Sequence, residues 1–191
     1  HIELSGINLA LDIAGRYATY GLPFDFVRDW LFVANDKDKH FMFLCDRLES
    51  LDIFYGALSA HDDLWEAALA TRDDLACRVA ITPPVLEARG LDVTPQLIDK
   101  VKFVSDEANA EILQNILEDE VGHVATGKRW FHFVCGCERC DPISSGQRLV
   151  RQYFKGDLKP PFNIKTRTAT KFSAAFCGPI AQGRPSLQPL P

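Results

Sequence analysis

The 191-residue sequence contains no apolar run approaching the ~20 residues that a helix needs to span a bilayer, which argues against membrane insertion. It also lacks alternating apolar and polar stretches, internal repeats and a glycine-rich phosphate loop. These absences argue against a sheet-based domain, a repeat array and a P-loop nucleotide site. Positive charge is not in excess: 21 Lys and Arg stand against 26 Asp and Glu, for a formal net charge of -5. Nucleic acid is therefore not an expected partner, and Lys155, Lys159, Lys165, Arg167 and Lys171 are read as the solvated surface of a tail.

Paired C-x-x-C knuckles are missing as well. Cys45 and Cys77 fall within helical apolar patterns, where a reduced buried thiol is ordinary, and point to a reducing intracellular compartment such as the cytoplasm or an organelle matrix. Cys135, Cys137 and Cys140 form a C-x-C-x-x-C cluster that would need Cys177 or a histidine to complete a metal site. Free thiols at a helix end are the default reading.

What the sequence does carry is helical periodicity around enough apolar surface for one core, with 47% hydrophobic residues in a length suited to one domain. From His1 to Tyr20, Ile7, Ala10, Ala14 and Tyr17 share a face, and Gly21 with Pro23 ends the helix. The pattern is already under way at His1, so upstream residues are expected. A longer helix follows from about Phe24 to Ser50, with Phe26, Trp30, Val33, Phe43 and Leu44 inward. The third starts at Asp62 or Asp63, with Leu64, Ala68, Ala76, Val79 and Ala80 inward; it is kinked at Pro83 and Pro84, breaks at Gly90, and resumes at Thr94-Pro95 to end near Val104. The fourth runs from Ser105 to Cys135, with Leu113, Ile116, Leu117, Val124 and Phe131 inward.

The expected architecture is an all-α four-helix bundle over residues 1–141. Residues 142–191 extend it with a short helix, Pro142 to Phe154, and a Pro-rich end that could dock on an unknown protein partner.

Each helical stripe carries ionisable residues where its period calls for core: Glu3, His40, Glu87, and Glu120 with His123. Glu3 and His40 lie at matched distances from the turn between their helices, roughly 26 Å at ~1.5 Å per residue, and Glu87 and Glu120 are matched about theirs. Isolated charges in a helical core cost several kcal/mol unless they are paired or bind a cation, so a compensated cluster is expected. Glu120-x-x-His123 sets a carboxylate and an imidazole on one face, as in di-iron and di-manganese carboxylate bundles.

One position departs from that pattern. Three residues before His40, where a carboxylate belongs, stands Lys37. Three arrangements follow: two metals with Asp36 as substitute ligand; one metal held by His40, Glu87, Glu120 and His123 or a subset, with Lys37 paired to the carboxylate left over; or a metal-free core in which Lys37 and one or two protonated histidines offset Glu3, Glu87 and Glu120. Iron or manganese is the expected cofactor, as two ions, one, or none. Tyr17, Trp30 and Trp130 fall near the inner faces, where core packing is the default reading over electron relay.

Several strings together resemble the ferritin-like proteins classed as domain of unknown function 455: His1-Ile2-Glu3, Lys39-His40-Phe41, Ala60-His61-Asp62, Leu64-Trp65-Glu66, Leu86 to Pro95, Asp119 to Val124 and Leu158 to Asn163. The resemblance covers the chain to about Phe172. It implies a ferritin-like fold and a di-metal site at Glu3, position 37 with His40, Glu87, and Glu120 with His123, with Glu rather than Lys at position 37. It brings no substrate. The function expected is oxidoreductase chemistry if metal is bound, and the alternative is a metal-free or metal-poor scaffold subunit of a larger complex.

Overall fold

The computed structural model describes residues 1–82, 88–153 and 163. All regular structure among them is helical: α1 (Ile2–Arg16), α2 (Phe24–Glu49), α3 (Asp63–Ala70), α4 (Leu75–Ile81), α5 (Ala88–Phe103), α6 (Glu107–Glu138) and α7 (Pro142–Tyr153). None of these helices is long and apolar enough to cross a membrane.

The ends of the helices follow local chemistry. Gly21, at φ 71°, and Pro23 turn the chain between α1 and α2. Asp106 caps α6 by accepting the Asn109 N–H at 3.1 Å, after Ser105 adopts a left-handed φ of 59°. Arg139, also left-handed, closes α6 with the Cys140 N–H bonded to the Cys135 carbonyl at 3.0 Å.

α1 packs along α2, and α5 along α6, each pair joined by a short turn. α2 then pairs with α6 in antiparallel register, fixed at three heights. Asp29 receives Arg129 Nη1 at 2.8 Å and Trp130 Nε1 at 3.1 Å, Lys37 meets Glu120, and Arg47 Nη2 reaches Asp106 at 2.9 Å. α4 and α7 cover the flank of α6. The dry core lies towards the α1–α2 turn, where Leu9, Ile13, Tyr17, Phe26, Trp30 and Trp130 are buried.

Several expectations for the third helix need correction. Its first segment divides at residues 71–74, well before the prolines, because Thr71 Oγ1 bonds back to the Ala67 carbonyl at 2.9 Å and Asp74 caps a new helix through Cys77 N–H at 2.9 Å. No break occurs at Gly90, and no fresh start at Thr94-Pro95: α5 is continuous through both. Pro95 cannot donate to the Leu91 carbonyl four residues back, and Asn163 Nδ2 donates to that oxygen instead at 3.3 Å. Asn163 is fastened by its own N–H to Asp92 Oδ1 at 2.9 Å. Helical periodicity cannot register a donor supplied from 72 residues away. α1 also ends earlier than expected, and its buried face holds Leu9 and Ile13 beside Ala10 and Ala14, while Ile7 is half-buried.

The Pro83-Pro84 kink, Glu87, Phe154, the basic residues from Lys155 to Lys171, Cys177 and the Pro-rich end lie outside the described residues.

Candidate metal centre

Helical periodicity aims Glu3, Lys37, His40, Glu120 and His123 into the bundle, and the packing of α1, α2 and α6 brings all five together with side chains almost fully buried. Glu3 Oε2 lies 3.4 Å from His40 Nδ1, and Glu120 Oε2 lies 3.5 Å from His123 Nδ1. The two imidazole centroids are 6.0 Å apart. Lys37 Nζ bridges the two carboxylates, contacting Glu120 Oε1 directly and Glu3 Oε2 at 3.4 Å.

Both imidazoles are held from behind. His40 Nε2 lies 2.9 Å from Asp119 Oδ2, and His123 Nε2 lies 3.3 Å from Asp36 Oδ2. Lys39 spans the two outer carboxylates, at 2.8 Å from Asp119 and 3.6 Å from Asp36. An ionised carboxylate only accepts, so each Nε2 donates to it; a neutral ring then turns its Nδ1 lone pair inward, whereas a protonated ring donates from Nδ1 to the inner carboxylate. Outer carboxylates orient metal-bound histidines in the same manner.

The electrostatics follow from burial set against neighbouring cations. Burial pushes the Glu120 carboxyl up, but the Lys37 ammonium and then His123 outweigh it and bring its pKa down to about 2. For Glu3, burial is likewise opposed, by His40 and Lys37, with a net lowering. Asp119 is lowered too, Lys39 and His40 overcoming its partial burial. Glu3 Oε2, His40 Nδ1 and Glu120 Oε2 are buried without a hydrogen-bond partner among the described residues. These three residues can each offer an atom within 4.8 Å of the others, a spacing that one metal ion could gather.

Among the described residues, position 37 presents an ammonium where the di-metal pattern has a carboxylate, and that ammonium is already against Glu3 and Glu120. Asp36 lies behind His123 rather than among the inward atoms.

Asp119 and Lys39, which contact the cluster from its outer side, are not among the residues expected from helical periodicity. The available signal was adjacency: Asp119 precedes Glu120, and Lys39 precedes His40.

Tyr17 is remote, 14 residues along α1 from Glu3 or about 20 Å at helical rise, and its hydroxyl donates to the Arg72 carbonyl at 2.8 Å. Trp30 and Trp130 pack around Phe26 in the dry core. Cys45, Cys77, Cys135, Cys137 and Cys140 are free thiols, and burial pushes Cys77 and Cys135 up to about 12, away from the thiolate that a metal requires.

A curated relative from Haemophilus influenzae, described as an uncharacterized protein, is 41% identical over 86% of this chain. The match covers 60% of that protein, so the chain spans less than two thirds of its relative. No solved structure matches. Residues 1–178 match the family described as protein of unknown function DUF455, and the chain belongs to that family.

Proposed function

We propose that the chain is a ferritin-like protein whose buried cluster holds a single iron or manganese ion, with Lys37 supplying the positive charge that a second ion would bring. The observation that carries this reading is the opposition of acceptors. His40 and His123 have their outer nitrogens tied to Asp119 and Asp36, so their inner nitrogens face carboxylate oxygens at 3.4 and 3.5 Å. With the rings neutral, these opposed acceptors need a cation between them, either a proton on Nδ1 or a metal ion. Lys37 reaches Glu3 and Glu120, and a metal ion would complete the compensation, with Glu3, His40 and Glu120 able to offer atoms to it. Bound iron or manganese would supply one-electron redox chemistry, which makes an oxidoreductase the corresponding activity class. Asp36, Asp119 and Lys39 would hold the imidazoles in orientation.

A second reading is a metal-free scaffold subunit. It is favoured by the Lys37 ammonium, which already contacts both inner carboxylates. Elemental analysis separates the two: protein produced with iron and manganese and then desalted should hold about one ion per chain. About two ions would defeat the single-ion proposal, and a metal content near zero would leave the scaffold reading standing.

A further inference from the structure

Beside the cluster lies a cavity of about 410 Å³, a volume in the range that holds small molecules. Glu3, Lys37 and Glu120 contribute its polar lining from the cluster, and Ile2, Leu44, Leu64, Val93, Leu97 and Ile116 make apolar walls. Ile2, Val93 and Leu97 are 54%, 41% and 45% exposed, so apolar surface that packing would normally cover stays open to the outside.

Gly90 lines the same cavity from within α5. Its backbone does not take the left-handed conformation, and a Cβ built there meets no atom within 4 Å. Neither backbone conformation nor close packing therefore requires glycine at this helical position, where glycine weakens a helix relative to alanine. What its missing side chain provides is open volume.

The charges select the ligand. Lys37 is already engaged with both carboxylates, so an anionic ligand would compete with Glu3 and Glu120 for it, and a cationic one would meet the ammonium itself. Arg89, at the same cavity, lies 3.9 Å from Asp92. Apolar walls above an ammonium and two carboxylates already paired with one another suit a neutral, mainly hydrocarbon molecule with a single polar end.

We propose that this cavity is a binding site for a small neutral amphiphile of the alkanol type, seated with its chain along α5 and its polar end towards the cluster. Binding stands on the cavity alone; the ligand's role as substrate rests on the metal reading above.

The test uses the full chain and 1-decanol, with decanoate as the anionic control, followed by calorimetry and ligand-observed NMR. Saturable one-to-one binding of decanol is expected, with decanoate at least tenfold weaker. Gly90→Leu fills the cavity from a backbone that accepts a side chain, and should weaken decanol at least tenfold without lowering the thermal midpoint or the metal content. Leu97→Trp, at a half-exposed wall position, should do the same if Gly90→Leu fails to fold. Absence of saturable binding, preference for decanoate, or unchanged affinity in a folded cavity-filling variant would overturn the proposal. Decanol binding by protein that holds no metal after production with iron and manganese would uphold this site while the metal content itself defeats the metal reading.

Discussion

His40 Nε2 stands 2.9 Å from Asp119 Oδ2, so that a carboxylate on the outer side of α6 sets which nitrogen of a fully buried imidazole faces the interior. The same arrangement recurs between His123 and Asp36, and Lys39 joins the two outer carboxylates. Orientation of the inner ring of atoms is thus maintained by a second ring near the surface.

Asp119→Asn should therefore act on metal binding rather than on folding. Its side chain is only partly buried, and an amide cannot hold the Nε2 proton as a carboxylate does. Loss of such an outer partner lowers metal affinity by about 10–100-fold. Competition against a chelator measures the affinity, and an unchanged value would remove Asp119 from the centre.

Lys37→Met would leave Glu3 and Glu120 facing each other in the metal-free protein. Removing one member of a buried charge group costs about 3–5 kcal/mol, and added manganese should recover much of that loss. Urea unfolding in a chelator and in manganese provides the comparison. Lys37→Glu, which restores a carboxylate, should raise metal content to about two ions per chain; unchanged content would argue against the placement of residue 37.

Gly6 permits the path of Lys37. A Cβ at residue 6 would lie 3.2 Å from Lys37 Cδ and 3.3 Å from Cε, and the ammonium beyond is fixed at both carboxylates, so the stem has little room to move aside. Gly6→Ala should destabilise the natural protein and stabilise a Lys37→Ala background, where only the helix-propensity gain of about 1 kcal/mol remains. The coupling in the double-mutant cycle should then exceed about 1 kcal/mol, and additivity would show that residues 6 and 37 do not compete for space.

Acid should weaken the metal-free protein in a defined window. Glu120 is lowered from an ordinary 4.5 to about 2, and Glu3 is lowered as well. A carboxyl whose folded pKa is depressed stabilises the fold above its unfolded value and loses that contribution as pH falls through the folded value. Stability should decline from just above pH 4.5 towards about pH 2, and Glu120→Gln should flatten the decline. Equal slopes in the two proteins would contradict the assignment.

Much of the centre was legible because a 3.6-residue period fixes which side of its own helix each residue occupies. Glu3, His40, Glu120 and His123 were readable as inward on that ground, and equal distances from a turn matched Glu3 to His40. Lys37 was readable as a departure for the same reason. The division at Thr71–Asp74 was less visible, because Thr71 sits in a helical pattern and ends its helix by bonding its hydroxyl back to Ala67. Pro95 and Gly90 were legible as helix breakers only in isolation; Asn163 supplies a donor where Pro95 has none, and α5 runs on.

The sequence by itself determined the helical periods, the ionisable residues on their inner faces, and the ammonium at position 37. Only the tertiary structure decided that this ammonium rests between Glu3 and Glu120, the latter 83 residues away, and that Asp36 and Asp119 lie behind the imidazoles. The physical reason is that periodicity sets direction about a single helix axis. The relative rotation and height of packed helices, fixed here by pairs such as Arg47 with Asp106 and Trp130 with Asp29, set which atoms meet.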